Sequence, residues 1–191
     1  KTDVCGATNI RGLYAAGECA CISVHGANRL GGNSLLDAVV FGRRVGNAAS
    51  DYVKETALPE FPEDALEAAA KDIAFAMDKT SGERAAYVRE ELAAAMTKYV
   101  GVFRDKKRLD SALAVIIKLK ERYKYIYMED KGEIFNTDLV SVFELGHLLT
   151  IAECIVRSAI NREESRGAHY RMDFPDRDYK NWLKHTILFK D

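Results

Sequence analysis

The residues best suited to chemistry lie in the stretch HGANRLGGNS, where Arg29 stands shortly before the glycine pair Gly31 and Gly32. The apolar run behind them predicts a helix that begins near Ser34, with Asn33 and Ser34 at the N-cap position. The first backbone N–H groups of a helix have no intrahelical partners and carry positive dipole, so they can hold an anion. Glycines let a ligand approach the backbone, and an arginine can bind a carboxylate through two parallel hydrogen bonds.

These residues predict an anion or dicarboxylate site beside a helix N-terminus. The segment is not a phosphate-binding P-loop, because the required lysine followed by serine or threonine is missing. Arg29 could instead form a structural salt bridge or bind backbone carbonyls, and the glycines could form an ordinary turn. The pattern alone leaves these alternatives open.

The cysteines and histidines predict no metal site. Cysteines occupy positions 5, 19, 21 and 154, without C-x-x-C spacing and without a small disulfide-dependent scaffold around them. We expect these thiols to be reduced and buried. The four histidines are too scattered to complete a metal site. His25 could act as a general base or shape the Arg29 loop, and we favour the second role.

Composition limits the class of protein. The chain has 191 residues, 48% of them hydrophobic, which is enough for a sizeable core. Its 28 basic and 29 acidic residues give a net charge of -1, so nothing favours a nucleic-acid partner or an anionic membrane surface. The apolar run from Leu35 to Val53 is interrupted by Asp37, Arg43 and Arg44, which indicates a buried helix in a soluble protein. The missing initiator methionine indicates a piece of a longer chain.

Three regions differ in character. Residues 1–58 mix small and β-prone residues with one long helix that ends near Glu55, and LPEFPED is the best boundary candidate. Residues 59–161 predict a helical bundle, because four apolar patterns have helical spacing: 66–77, 88–103, 109–127 and 139–159. Residues 162–191 predict an irregular polar tail.

Local signals place the starts of two bundle helices. Thr80 and Glu83 have the separation of a capping box for the second helix, and Asn136 can cap the fourth. The connections are short and the apolar stripes are wider than a coiled-coil seam. We therefore predict a mainly α fold built on an antiparallel helical bundle.

Two longer stretches resemble a known family. The first, at 12–46, reads GLYAAGECACISVHGANRLGGNSLLDAVVFGRRVG and closely resembles the end of the FAD-binding domain in the flavoprotein subunit of succinate dehydrogenase and fumarate reductase. The second, at 162–186, reads REESRGAHYRMDFPDRDYKNWLKHT and resembles the C-terminal domain of the same subunit. Both are long and specific, so the resemblance covers essentially the whole chain. It implies a fragment of an α/β FAD-binding domain before the bundle.

In that family, both stretches belong to a longer polypeptide that also carries a dinucleotide-binding βαβ unit and a capping domain. This chain has no GxGxxG turn, and it lacks the capping domain's substrate-binding histidine and threonine and the family's upstream proton-transferring arginine. The resemblance therefore implies part of an FAD-dependent oxidoreductase that interconverts succinate and fumarate. We expect this part to be inactive alone and to contain no catalytic residue of its own.

The resemblance also assigns roles to residues. Arg29 aligns with the family's arginine that binds a carboxylate of succinate or fumarate and orients the substrate for hydride exchange with the flavin. Glu18 falls on a partner for a hydroxyl of the FAD ribitol or ribose, and a carboxylate can accept such hydrogen bonds. Ser34 and Leu35 fall on positions that approach the isoalloxazine ring, where the helix dipole would stabilise the reduced flavin.

The tail stretch SRGAHYRMDFPDRD brings arginines and a histidine close to three aspartates, and could be taken for an anion or metal site. Opposite charges in so short a segment are expected to pair with one another. The resemblance assigns the segment to packing and subunit contact.

The implied partners are an iron–sulfur subunit, which exchanges electrons with FAD, and indirectly the membrane anchor subunits. The implied location is the cytoplasm, at the inner face of the cytoplasmic membrane. L-aspartate oxidase is an alternative, but GANRLGGNSLLD and DFPDRDYKNWLKHT favour the respiratory enzyme. A non-catalytic helical module that docks a partner subunit is the alternative from another class. The direction of the reaction depends on the flavin potential, the quinone and the membrane partners, so it stays open.

Overall fold

The computed structural model describes residues 1–189, and within them the chain forms five α-helices and four two-residue strands. The helices are α1 (Asn33–Glu55), α2 (Glu63–Met77), α3 (Ala85–Val100), α4 (Lys106–Tyr123) and α5 (Thr137–Asn161). The strands are β1 (Glu83–Arg84), β2 (Phe103–Arg104), β3 (Ile126–Tyr127) and β4 (Tyr170–Arg171). The prediction of a mainly α fold is confirmed.

The chain divides into two compact units, Lys1–Phe61 and Pro62–Asp191. In the first unit, an N-terminal segment packs on α1. Gly6 has a φ of +80°, and a Cβ at this position would lie 2.1 Å from Cγ2 of Val45, so only glycine allows this approach. A short 3₁₀ helix, Gly17–Cys19, also lies against α1. Our division into 1–58, 59–161 and 162–191 stays a prediction.

Helix α1 is mostly uncovered in this unit. Leu35, Val39 and Val53 are 75%, 71% and 70% exposed, and Val45 is the one buried residue among those of α1. The expectation of a buried helix is therefore wrong for the described chain. The physical reason is that the N-terminal segment is a thin layer, which covers only the side of α1 that carries Val45.

The core of the second unit lies where α3, α4 and α5 pack against one another, with α2 against α5. Helices α3, α4 and α5 each bury one apolar stripe, as expected for amphipathic helices. Helix α2 buries only Ala76, and Leu66 and Ile73 of its predicted stripe are 67% and 45% exposed. The α4 residues of this core are Leu109, Ala112, Ile116 and Leu119, all 0% exposed. The α5 residues are Val142, Leu145, Leu149, Ala152, Val156 and Ala159.

The short strands fix the directions of the helices. Strand β1 precedes α3 and pairs with β3, which follows α4, so the start of α3 lies beside the end of α4. Strand β2 precedes α4 and pairs with β4, which follows α5. Both neighbouring helix pairs are therefore antiparallel, which confirms the predicted bundle.

The predicted helix ends need correction. Helix α3 ends at Val100 and α4 at Tyr123, because Phe103 and Tyr127, which continue the helical spacing, lie in strands. The capping box is also wrong: α3 begins at Ala85, and the carboxylate of Glu83 binds Arg122 on α4.

The predicted cap of α5 is confirmed. The side-chain oxygen of Asn136 accepts a hydrogen bond of 2.8 Å from the N–H of Leu139. Its amide nitrogen donates to the carbonyls of Asp130 and Gly132 at 2.9 and 2.8 Å. Asn136 therefore fixes both the start of α5 and the turn before it.

By length and composition alone, α5 is the one described helix that could cross a membrane. The central helix of a packed bundle can have the same length and composition as a membrane span. Here one side of α5 lies in the core, with Leu145 and Val156 0% exposed.

Candidate functional site

The loop before α1 ends at a glycine cap. Gly32 is the N-cap of α1 with φ 81°, and Asn33 is the first helical residue, so our placement of Asn33 and Ser34 at the cap was wrong. The left-handed backbone at Gly32 explains the correction, because glycine adopts it without steric cost. Within residues 1–189, no side chain caps α1. The N–H groups of Asn33 and Leu35 donate to the carbonyls of Leu30 and Gly32 at 3.2 and 3.3 Å, so the first turn keeps only part of its backbone donors for another group.

The structure leaves space around the glycine pair. A Cβ placed on Gly31 or Gly32 would have no atom within 4 Å in the described chain. Steric crowding therefore does not explain why residue 31 is a glycine. The positive φ at position 32 explains why that residue is a glycine. Open space beside uncapped N–H groups is the arrangement that an anionic or electron-rich ligand needs.

Arg29 is exposed and makes little contact with the described chain. Its Nη1 lies 3.5 Å from the carbonyl oxygen of Leu30, which is the limit of a hydrogen bond. Among the described residues, no carboxylate lies within ion-pair distance of it. The alternative of a structural salt bridge therefore gains no support, and most of the guanidinium remains available to a ligand.

The 3₁₀ helix brings Glu18 towards the beginning of α1. A Cβ on the neighbouring Gly17 would lie 3.7 Å from Cβ of Ala38, which is about one helical turn beyond Ser34. Glu18 is exposed, Ser34 is half-buried and Leu35 is exposed. The structure thus places the segments of all these residues around one end of α1, while their contacts with FAD stay predictions.

A contact that spans this loop was not predicted, although His25 was expected to shape the loop. Nε2 of His25 lies 2.9 Å from Oδ2 of Asp37, and the two residues are 12 positions apart. The side chain of Asp37 is only 10% exposed, and its Oδ1 has no hydrogen-bond partner in the described chain. A histidine before the loop and an aspartate in the following helix were the available signal. Their spacing predicts no contact unless the path of the loop is known.

The pair lies at a small pocket of about 210 Å³. Its other lining residues are Val24, Asn33, Leu36, Val40 and Phe41. Apolar side chains around a hydrogen-bonded carboxylate reduce competition from water.

The cysteines are free, but the expectation that they are buried is wrong. All four are exposed, because Cys5, Cys19 and Cys21 lie in the thin N-terminal layer and Cys154 lies on the outer side of α5. Within the part of the chain that the structure describes, no group of three or more His, Cys, Asp or Glu residues could hold a metal ion.

The tail pairs its own charges, as the sequence indicated. Arg171 is 0% exposed, and its Nε and Nη2 donate to the two carboxylate oxygens of Asp173 at 2.7 and 2.8 Å. Its Nη1 donates to the carbonyl of Ala159 at 2.8 Å. Hydrogen bonds from Arg171 hold the pKa of Asp173 at about 2. The donors of the Arg171 guanidinium are therefore occupied by groups of the fold and are not available to a ligand.

Glu164 is a second buried centre of the tail, also 0% exposed. It accepts hydrogen bonds from Nε of Arg166 at 2.8 Å, from the N–H of Asp178 at 2.9 Å, and from Arg162. The Arg166 hydrogen bond is the largest cause that lowers the pKa of Glu164 to about 2. Burial lowers the pKa of nearby His169, and neighbouring guanidiniums act in the same direction.

Comparison with known proteins covers both units. The family model described as "Fumarate reductase flavoprotein C-term" matches residues 89–191, which is more than half of the chain. The model described as "FAD binding domain" matches residues 1–35, and so includes Glu18, Arg29 and Ser34.

Individual relatives agree with these matches. The fumarate reductase flavoprotein subunit of Mycobacterium tuberculosis is 42% identical over 100% of this chain and 34% of its own length. The succinate dehydrogenase flavoprotein subunit of Coxiella burnetii is 43% identical over 95% of this chain and 31% of its own. A solved quinol fumarate reductase chain of E. coli superposes with a TM-score of 0.91 at 40% identity, over 100% of this chain and 33% of that one. The chain thus spans about a third of these relatives.

Proposed function

Because the chain belongs to the fumarate reductase and succinate dehydrogenase flavoprotein family, we propose that the complete protein is an FAD-dependent oxidoreductase that interconverts succinate and fumarate. The chain supplies part of the FAD and dicarboxylate sites and is inactive alone. The observation that carries this proposal is Arg29, an exposed guanidinium without a carboxylate partner in the described chain, on a loop that leads into α1.

Arg29 binds and orients the substrate in this proposal. Its planar fork can donate two parallel hydrogen bonds to one carboxylate of succinate or fumarate, which limits rotation of the substrate. Holding the substrate in one orientation removes much of the entropic cost of reaching the transition state. The positive charge also stabilises negative charge that develops on the substrate during transfer.

The residues around α1 fit FAD. When bound, FAD supplies the acceptor or donor for the hydride that the substrate loses or gains. Glu18 is exposed and can accept hydrogen bonds from ribitol or ribose hydroxyls. Ser34 and Leu35 lie in the first turn of α1, which has no side-chain cap and whose positive dipole end suits an electron-rich ring edge. The open space beside Gly31 and Gly32 allows such a group to approach.

The partners in this proposal are an iron–sulfur subunit, which exchanges electrons with the flavin, and membrane anchor subunits that the chain meets only indirectly. The complete protein would then lie in the cytoplasm, at the inner face of the cytoplasmic membrane. Support comes from the solved relatives, one of which is described as a quinol-fumarate reductase with menaquinol molecules.

The test is Arg29→Ala in the full-length holoenzyme. We expect turnover to fall by about a hundredfold or more and dicarboxylate binding to weaken, because substrate orientation and charge stabilisation are lost together. Flavin content should stay normal, as measured by visible absorbance. Arg29→Lys should rescue poorly, because an ammonium lacks the planar fork.

Arg43→Ala is the matched control, since Arg43 is an exposed arginine on α1 and has no assigned role. It should keep normal turnover. Near-normal activity of Arg29→Ala with a full complement of flavin would contradict the role of Arg29.

A further inference from the structure

We propose that the His25–Asp37 pair positions the loop that carries Arg29, so that both are positioning residues for dicarboxylate binding. The inference rests on the proposed function, because it assumes that Arg29 binds substrate. It adds Asp37, and it gives the expected loop-shaping role of His25 a defined partner.

The pair closes the loop at both ends. His25 stands before the loop and Asp37 lies in the second turn of α1, and their side chains meet at 2.9 Å. Arg29 lies between them, together with glycines whose backbone is permissive, and Gly26 and Gly32 have φ values of 59° and 81°. A loop of this composition has many conformations, and a bond between its ends reduces their number.

Arg29 needs this support because its side chain provides almost none. Its one hydrogen bond within the described chain is the 3.5 Å contact with the carbonyl of Leu30, its own neighbour in sequence. The backbone of the loop therefore determines where the Arg29 side chain starts, and thus which positions its guanidinium can reach. A misplacement of about 1 Å can reduce catalysis by as much as about a hundredfold.

The chemistry of the pair suits a firm contact. When Nε2 of His25 carries the proton, the imidazole N–H can donate to Oδ2 of Asp37 across this distance. The side chains of His25 and Asp37 are 27% and 10% exposed, which limits competition from water. Oδ1 of Asp37 has no other partner among the described residues, so removal of His25 would leave this buried carboxylate without a donor.

The experiment compares variants of the full-length holoenzyme. In Asp37→Ala and His25→Ala we expect the KM for succinate to rise about tenfold and kcat to fall as well, because Arg29 both binds the substrate and stabilises the transition state, while flavin content stays normal. Hydrogen exchange of the backbone amides of Asn33 and Leu35, which donate to the loop carbonyls of Leu30 and Gly32, should become about tenfold faster in both variants, because the loop opens more often. The double variant should be no worse than the more affected single variant, since both remove one bond.

Asp37→Asn is the conservative variant, because its amide oxygen can still accept from His25. It should keep KM within about threefold of the wild-type value. Asp51→Ala is the matched control, because Asp51 also lies on α1 but has a 73% exposed side chain that pairs with Lys54. It should change neither KM nor exchange of the loop.

Unchanged KM and unchanged loop exchange in His25→Ala would overturn the proposal. This variant changes a partly exposed loop residue, so it remains informative if Asp37→Ala fails to fold. Additive losses in the double variant would also overturn it, because independent effects do not come from one shared bond. Normal dicarboxylate binding in Arg29→Ala would instead contradict the proposed function itself.

Discussion

The loop before α1 and the tail after α5 both place arginines in irregular, glycine-containing segments, yet they use them in opposite ways. Arg171 is fully buried and donates to Asp173 and to backbone carbonyls. Arg29 is exposed, and within residues 1–189 its side chain makes one hydrogen bond, at 3.5 Å. The difference shows that a guanidinium is available to a ligand when the fold gives it no carboxylate, not when its neighbours in sequence look like a site.

Local composition contributes to this difference. The stretch ANRLGGNSLL around Arg29 contains no acidic residue, and Asp37, which follows it, binds His25. In the tail, by contrast, Asp173 is two residues from Arg171, and Glu164 is two residues from both Arg162 and Arg166. A carboxylate is therefore within easy reach of each of these tail arginines.

The largest expected effect is on Arg171. Arg171→Met should reduce the free energy of unfolding by about 3–5 kcal/mol, because Asp173 and buried carbonyls lose their donor. The measurement is urea unfolding followed by the fluorescence of Trp182, the single tryptophan, which lies in the tail. Arg29→Met is the matched comparison and should change stability by less than about 0.5 kcal/mol. A similar loss in both variants would remove the distinction between the two regions.

The second effect is a dependence of the free energy of unfolding on pH, which comes from Glu164. The pKa of Glu164 is lowered from 4.5 to about 2, so its stabilisation is complete above about pH 4.5 and disappears as the pH falls towards 2. Glu164→Gln should therefore cost roughly 3 kcal/mol near pH 7 and converge with the wild type near pH 2. Unfolding curves across this range test the prediction. The adjacent exposed residue offers the control Glu163→Gln, which should run parallel to the wild type.

The smallest effect concerns the two helix starts. Asn136 caps α5 with its side chain, whereas Gly32 begins α1 without a side-chain cap. Asn136→Ala should cost about 1 kcal/mol of stability, because the N–H of Leu139 loses its acceptor. Thermal unfolding measures it, with the exposed Thr137→Ala as control. A negligible loss would mean that packing alone fixes the start of α5.

Several elements could be predicted because their signals are local. Asn136 marks the start of α5, and helical spacing located the apolar stripes of α3, α4 and α5 that form the core of the second unit. In α2 the spacing failed, because Leu66 and Ile73 are exposed. Phe103 and Tyr127 misled the prediction because both continue a helical spacing. Each instead lies in a strand that pairs with a segment distant in sequence, as Tyr127 pairs with Arg84.

The candidate site was only partly predictable. The glycine loop, Arg29 and the helix behind it follow from the sequence, and the position of the cap was missed by one residue. The His25–Asp37 contact was not predicted, since two residues 12 positions apart meet only when the intervening loop turns back.

The sequence by itself determined the helical content and a glycine loop without acidic residues, because both depend on local residue types. It also determined the family, because two long stretches match the family's sequences. Only the tertiary structure decided which charges are buried in pairs and which remain available. The physical reason is that pairing and desolvation depend on distances between groups that the chain brings together only when it folds. Thus the guanidinium of Arg171 is buried and paired, while that of Arg29 is exposed and available to a ligand.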